Sequence, residues 1–269
     1  MADPKADASP AASGRMGLEI DGGVATITVD WPERRNALSP EMAASLVDAC
    51  DTIDADDTVG AAVIRGAGAA FCSGADRGAL DTMGLDPAHP DQFARTGSVY
   101  ASFVRVGNLG VPTIAAAQGA AVGAGVNLLF ATDLRIVAED LRILAGFLAI
   151  GLHPGGGHFV LTGRAAGREA AAAMGLFSEE VSGRRAVELG MAWEALPAAA
   201  VDQRAAELAA VAARDPELAR AAVRSFRTEL GPPGLGWDAA VAFERGTQMW
   251  SMRRKATRSA AAADQAGGR

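Results

Sequence analysis

The chain has 269 residues, of which 49% are hydrophobic and 21% are charged. This composition favours a folded protein with a sizeable core over a disordered chain. The net charge of −7 at pH 7 comes with no long basic run, which argues against nucleic acid as a partner. Cys50 and Cys72 stand in unrelated contexts and indicate neither a disulfide framework nor a metal site.

Signals for membranes or export are not evident in the sequence. No apolar stretch reaches the roughly 18 residues that a membrane span needs, so we expect no membrane partner. Residues 1–14 are rich in Ala, Asp, Pro and Ser and carry no apolar signal core. We therefore expect a disordered lead-in over 1–14 and a cytoplasmic protein.

Strands and helices alternate along the first two thirds of the sequence. Runs of apolar and β-branched residues predict strands at 23–30, 60–64, 112–117 and 134–137. Ser39-Pro40-Glu41 predicts a helix start, because it supplies an N-cap, a proline at the first helical position and an acid in the first turn. A second helix is predicted over 93–109, after a loop at 77–91.

The later part of the sequence becomes helical. Ser182 is the expected cap of a short helix over 184–189, and 191–196 is predicted as the last strand. From 198 to 256 the patterns are helical, with a break at Pro216. The predicted organisation is a lead-in (1–14), an α/β core (15–197), a helical region (198–258) and a loose tail (259–269).

The stretch 118–127, Gln-Gly-Ala-Ala-Val-Gly-Ala-Gly-Val-Asn, is the most informative feature of the chain. It follows a predicted buried strand and precedes an apolar run, 128–131, that suits a helix. Its glycines let the backbone turn sharply and let a ligand approach without meeting a Cβ atom. The first N–H groups of a helix lack internal partners and carry the positive end of the helix dipole. Such a turn binds negative charge, either a phosphate or an oxyanion formed during a reaction.

The phosphate interpretation lacks its supporting residues. Gly119, Gly123 and Gly125 match the glycine spacing of short-chain dehydrogenases, which bind a dinucleotide at such a turn. That family needs the turn near its N terminus and a Tyr-x-x-x-Lys pair, whereas here Tyr100 is the sole tyrosine and Val104 stands four places later. A Walker-type loop is excluded because no Gly-Lys-Ser/Thr occurs. We expect no nucleotide cofactor.

The oxyanion interpretation has a second glycine turn in its favour. Phe71-Cys-Ser-Gly-Ala-Asp76 follows another predicted strand and can expose the N–H of Ala75. If the two turns meet, one backbone N–H from each can bind the same carbonyl oxygen. Two such donors stabilise a thioester as its oxygen gains negative charge, by several kcal/mol when water is excluded.

Four motifs, in order and spacing, resemble the crotonase (enoyl-CoA hydratase/isomerase) superfamily. They are Pro32-Glu-Arg-Arg-Asn-Ala-Leu38, Phe71-Cys-Ser-Gly-Ala-Asp76, Gln118-Gly-Ala-Ala-Val-Gly-Ala-Gly125 and Pro154-Gly-Gly-Gly157. The resemblance covers residues 17 to 257. It implies an α/β fold, a crotonase-like spiral of repeated ββα units with a C-terminal α-helical trimerisation region. It also implies an acyl-CoA substrate, no cofactor beyond that coenzyme A, and a homotrimer or hexamer.

The resemblance also implies site residues by position. The N–H groups of Ala75 and Ala124 would be the oxyanion donors; the family often has glycine at the second position, and a backbone donor survives that change. The positions implied for CoA and acyl binding are Arg35, Ala37, Ser73, Asp76, Arg77, Gly123 and Phe147. Arg35 and Arg77 suit phosphate groups chemically.

The sequence departs from the family at the acid–base positions. Hydratases of the family use two glutamates, and here Asn127 and Phe147 stand at the corresponding positions. Neither side chain exchanges a proton near neutral pH, so hydration by two carboxylates is not expected. Asn127 can instead hold a water molecule or a substrate carbonyl, and Phe147 suggests an apolar wall for the acyl group.

Histidines are the candidates to replace the glutamates. His153 and His158 flank the last motif, and histidine titrates near neutrality. His153 is the first candidate for a catalytic role, the alternative being that it caps a turn. We expect His89 to be solvated, and Cys72, which has no identifiable base beside it, to be a small buried hydrophobe.

Two hypotheses for function follow. The leading one is an acyl-CoA enzyme of the enoyl-CoA hydratase/isomerase type that stabilises a thioester enolate in a backbone oxyanion hole. Hydration, double-bond shift, decarboxylation and hydrolysis all remain open as the reaction. The alternative is a non-catalytic acyl-CoA-binding protein on the same fold, which the replacement of both glutamates leaves open.

Overall fold

The computed structural model describes residues 14–76, 78, 89–231, 234, 236, 239, 245–247, 249 and 250. The strands are Arg15–Asp21 (β1), Val24–Asp30 (β2), Ala61–Gly66 (β3), Thr113–Ala117 (β4), Ala120–Val122 (β5), Leu134–Ala138 (β6), Arg142–Leu144 (β7), Glu180–Ser182 (β8) and Glu194–Leu196 (β9). The helices are Pro40–Ala55 (α1), Pro90–Gly107 (α2), Ala124–Ala131 (α3), His158–Phe177 (α4), Gly183–Glu188 (α5), Ala198–Ala213 (α6) and Pro216–Leu230 (α7), and 3₁₀ turns lie at Pro32–Arg34 and Leu148–Ile150.

The strands form two sheets. The larger has the order β1-β2-β3-β4-β6-β9, and the smaller has the order β5-β7-β8. Strands β4 and β6 pair in the larger sheet, while β5 and β7, which directly follow them, pair in the smaller one. Helices α3 and α4 come next in the chain after these strand pairs. This repetition is the predicted α/β spiral of ββα units.

Helix α6 covers part of the larger sheet. Val201, Ala205 and Ala209 are buried, and their spacing of four residues places them on one face of the helix. The helix contacts β3, β4 and β6. Parallel strands need cover on both faces, and this contact covers one face of β4, whose residues are all buried.

Several boundaries differ from the predictions, and several elements were not predicted. Strand β1 is largely exposed and so carries little apolar pattern. Strands β5, β7 and β8 have three residues each, too few to show a period. Helix α2 begins at Pro90 because the His89 side chain accepts a hydrogen bond from the N–H of Asp91. The predicted strand at 191–196 shortens to Glu194–Leu196.

Some predictions lie outside the described residues. They concern Arg77, the loop at 79–88, residues 1–13 of the lead-in, and the tail at 259–269. The trimeric or hexameric state stays a prediction. No helix in the described part of the chain is long and apolar enough to cross a bilayer.

Helix α7 is tied to the core by an arginine. The guanidinium of Arg220 donates to the carbonyl oxygens of Ile53 (2.9 Å), Asp56 (2.8 Å) and Val59 (3.2 Å). These carbonyls stand at and just beyond the end of α1. Those of Ile53 and Asp56 also accept backbone N–H groups, and Arg220 adds a charged donor. The Arg220 side chain is 19% exposed, so its hydrogen bonds are largely shielded from water.

We predict that Arg220→Ala lowers the free energy of unfolding by about 2 kcal/mol, because buried carbonyls lose a charged donor. Urea unfolding followed by circular dichroism measures the change. Arg224→Ala is the matched control, since Arg224 lies exposed on the same helix, and it should change stability by less than about 0.5 kcal/mol. Equal losses in the two variants would contradict this role of Arg220.

Candidate active site

The first glycine turn, residues 71–76, lies against the second one. Cys72 donates its N–H to the Ala120 carbonyl (3.1 Å), and the Cys72 carbonyl accepts the N–H of Val122 (2.9 Å). A Cβ atom added to Gly125 would overlap the Cys72 carbonyl oxygen. The two segments therefore meet backbone to backbone, and glycine is required at 125 for close approach.

On its other side, the first turn pairs with Leu38. The N–H of Leu38 donates to the Gly74 carbonyl (2.7 Å), and the N–H of Asp76 donates to the Leu38 carbonyl (3.0 Å). In such a parallel bridge the intervening residue directs its own N–H away from the partner strand. The N–H of Ala75 therefore faces away from Leu38, and Ala75 is half-buried.

Gly74 brings the two predicted oxyanion positions near each other. Its φ angle is +98°, which only glycine adopts readily. A Cβ atom at this position would lie 2.7 Å from the Val122 carbonyl oxygen and 3.6 Å from the nitrogen of Ala124. Ala124 is the first residue of α3, so its N–H has no acceptor within that helix. The structure thus brings the Ala75 and Ala124 segments together.

Asn36 holds the turn before Leu38 in place. Its Nδ2 donates to the carbonyls of Ala67 (2.8 Å) and Ala70 (2.6 Å), and its Oδ1 accepts the N–H of Trp31 (2.8 Å). The residue is fully buried, with φ at +59°, a region that asparagine tolerates better than most residues. Sequence reasoning missed this role, although Asn36 stands inside the first motif.

The predicted CoA-binding positions lie around these bends. Arg35 is exposed, and its carbonyl accepts the N–H of Ser73 (3.0 Å). The Ser73 hydroxyl donates to the carbonyl of Arg34 (3.0 Å). Ala37 is buried, and Asp76 is half-buried. Arg35 and Ser73 are therefore adjacent at the surface of the site.

Asn127 lies one helical turn after Ala124 and is 1% exposed. Its Nδ2 donates to the Gly155 carbonyl (2.8 Å), and its Oδ1 lies 3.0 Å from Nδ1 of His158. Both ends of the amide thus have protein partners. Asn127 links α3 to the glycine loop at 154–157 and to the start of α4.

His158 occupies a buried position beside two aromatic rings. It is 1% exposed, and its ring centroid lies 5.1 Å from that of Phe147 and 5.9 Å from that of Phe159, both in edge-on arrangements. Burial in these apolar surroundings lowers the pKa of His158 from 6.5 to about 4. The imidazole is therefore neutral at pH 7.

His153, the other candidate of the pair, is exposed. Its Nδ1 lies 2.6 Å from the carbonyl oxygen of Pro154. A catalytic role for His153 stays a prediction. Among the histidines of the described chain, His158 is the one in contact with Asn127. Its position beside the last of the four motifs was the signal for it in the sequence.

Cys72 is fully buried, and burial raises the pKa of its thiol to about 12. A thiol in this state is a poor nucleophile at neutral pH. Among the described residues, no cluster of His, Cys, Asp or Glu is arranged to hold a metal ion. In the part of the chain that the structure describes, the candidates for the chemistry of the site are therefore the backbone N–H groups of the two bends and the Asn127–His158 pair.

A separate cavity of about 460 Å³ lies between α2, α3 and α4. Its lining includes Phe103, Phe130, Leu161, Arg135 and Arg164, and it reaches the glycine loop at Gly156 and Gly157. Neither residue 75 nor residue 124 lines it. The candidate site lies at the paired bends, because the segments that carry Ala75 and Ala124 meet there.

Comparison with known proteins identifies the class that this fold and site define. The enoyl-CoA hydratase/isomerase family model matches residues 19–234. A Mycobacterium tuberculosis protein named "Probable enoyl-CoA hydratase EchA14" is 45% identical over 175 residues, covering 65% of this chain and 67% of that protein. The 1,2-epoxyphenylacetyl-CoA isomerase of Escherichia coli is 33% identical over 200 residues, covering 73% of this chain and 75% of that protein.

A solved structure also shows similarity to an enoyl-CoA hydratase. The enoyl-CoA hydratase of Mycobacterium smegmatis superposes with a TM-score of 0.79 at 28% identity, covering 88% of this chain and 90% of that one. The chain belongs to the enoyl-CoA hydratase/isomerase family of enzymes, within the crotonase superfamily. The predicted family and fold class are confirmed.

The buried, neutral His158 makes stability depend on pH. Its pKa is about 4 in the folded protein against 6.5 when unfolded, so the unfolded state binds the proton first as pH falls. The contribution of the neutral His158 to the free energy of unfolding is complete above pH 6.5. It is lost between pH 6.5 and 4, at about 1.4 kcal/mol per pH unit. We predict that His158→Asn flattens this dependence in urea unfolding at pH 7, 6 and 5. Parallel pH profiles for the two proteins would contradict a buried neutral imidazole.

Proposed function

We propose that this protein is an acyl-CoA enzyme that stabilises a thioester enolate with the backbone N–H groups of Ala75 and Ala124. The observation that carries the proposal is the close approach of the two bends, since a Cβ atom on Gly74 would lie 3.6 Å from the Ala124 nitrogen. Donors fixed in advance at the point where charge develops are among the strongest sources of catalysis.

Binding of coenzyme A would begin at the rim of the bends. Arg35 is exposed beside Ser73, so its guanidinium is available to a phosphate group. Arg77, Ala37 and Asp76 complete the proposed CoA positions, and Gly123 and Phe147 border the acyl group. The similar proteins described above carry the names "Probable enoyl-CoA hydratase" and "1,2-epoxyphenylacetyl-CoA isomerase", which supports a CoA thioester as the substrate class here.

Asn127 has a fixing role in this proposal. Because its amide is already bonded to Gly155 and His158, it orders the wall of the site and keeps one Oδ1 lone pair for a water molecule or a substrate group. Neither Asn127 nor Phe147 can carry a proton at the reacting carbon.

The second candidate function is a non-catalytic acyl-CoA-binding protein. It is supported by the lack of a proton-carrying side chain at residues 127 and 147. A panel of CoA thioesters separates the two. Under the enzyme proposal, at least one thioester both raises the melting temperature and is converted. Stabilisation by several thioesters with conversion of none would favour the binding protein.

Ala124→Pro tests the oxyanion donor itself. Proline removes the N–H, and it is well tolerated at the first position of a helix, where Ala124 stands. We expect kcat/KM for the converted thioester to fall roughly 100- to 1000-fold.

Ala198→Pro is the matched control, because Ala198 is exposed and is the first residue of α6. It should leave both the melting temperature and kcat/KM unchanged. Full activity in a folded Ala124→Pro protein would rule out the proposed donor.

A further inference from the structure

His158 contacts both positions at which the family resemblance places a glutamate. Its Nδ1 lies 3.0 Å from Oδ1 of Asn127, and its ring lies edge-on to Phe147 with centroids 5.1 Å apart. A titratable ring therefore lies beside both of the positions at which a carboxylate is missing.

The hydrogen bonds of Asn127 fix the form of the imidazole. Since Nδ2 of Asn127 must donate to the Gly155 carbonyl at 2.8 Å, Oδ1 is the atom that faces His158. An amide oxygen accepts, so Nδ1 of His158 carries the proton. In the neutral ring, Nε2 is then the nitrogen with a free lone pair.

Nε2 has no hydrogen-bond partner within the described part of the chain, and it is buried. A buried acceptor without a donor costs about 1–3 kcal/mol, so such an atom calls for an explanation in function. The ring of Phe147 supplies a connection to the bends, because a Cβ atom on Gly123 would lie 3.8 Å from the tip of that ring. This half-buried ring therefore lies next to both His158 and the bend that carries Ala124.

The geometry points to Nε2 of His158 as the proton carrier of the site, acting in a double-bond shift of a 3-enoyl-CoA thioester to its 2-enoyl isomer. This inference rests on the proposed function, since it needs the thioester held at Ala75 and Ala124. The reaction class follows from the surroundings. Two phenylalanine rings flank His158, and an apolar site with a single carrier suits a proton shift better than the activation of water.

The steps balance without a further reactant. Nε2 takes a proton from Cα of the 3-enoyl thioester, and the C–H electrons move to the thioester oxygen, where both N–H groups stabilise the dienolate. The imidazolium then returns this proton to Cγ, and the electrons shift to form the C2–C3 double bond. Nδ1 keeps its proton and its bond to Asn127 throughout.

Two substitutions separate proton transfer from positioning. His158→Asn keeps a donor near the Nδ1 position for Asn127 and removes Nε2, while His158→Gln keeps an amide near the Nε2 position that cannot carry a proton. We expect both to lower kcat for isomerisation by roughly 100-fold or more, with thioester affinity within about threefold of the native value. His89→Asn is the control, because Asn retains the N-cap of α2, and its kcat should be unchanged.

An isotope-transfer experiment on the native protein tests the same inference without any variant, and so does not depend on whether the variants fold. With a substrate deuterated at Cα in ordinary water, a carrier shielded by apolar rings should deliver part of that deuterium to Cγ. Complete loss of the label to solvent would overturn the inference, as would kcat within threefold of native in folded His158→Asn. In either case, continued isomerisation would leave the proposed function standing. Hydration without isomerisation would overturn the reaction class, and failure to bind any CoA thioester would overturn both proposals.

Discussion

The site depends on one close approach of backbone to backbone. Residues 71–76 run so near to residues 120–125 that a Cβ atom on Gly125 would overlap the Cys72 carbonyl, and one on Gly74 would lie 2.7 Å from the Val122 carbonyl. Hydrogen bonds between Cys72, Ala120 and Val122 hold the approach, and the pairing of Leu38 with the other side of the turn directs the Ala75 N–H away from Leu38. The packing of these two backbone segments thereby sets the positions of the N–H groups of Ala75 and Ala124, which belong to the main chain.

This arrangement explains how a family fold can persist when its acid–base residues change. The proposed donors belong to the main chain, so they survive the presence of Asn127 and Phe147 at the two glutamate positions. Asn127 is then free to bind the glycine loop and His158. In our account, the polarising part of the site is retained while the proton-transferring part is rebuilt around a buried imidazole.

The sequence was informative where its signals are local. Apolar and β-branched runs predicted the central strands, and Ser39-Pro40-Glu41 predicted the start of α1, where the Ser39 side chain accepts the N–H of Met42. The four motifs predicted the family and the meeting of the two bends. By contrast, the exposed edge strand β1 and the three-residue strands carried too little pattern. The burial of His158 could not be predicted, because it depends on Asn127, 31 residues earlier, and on Phe147.

The central claim is that two backbone N–H groups bind one thioester oxygen. Isotope-edited infrared spectroscopy of a bound acyl-CoA, labelled with ¹³C at the thioester carbonyl, tests it directly because two convergent hydrogen bonds weaken the C=O bond. Our account predicts that the carbonyl stretch of the bound thioester moves to lower frequency than in water. A stretch at or above its frequency in water would show that the carbonyl is not held by the two amides, and would contradict the account.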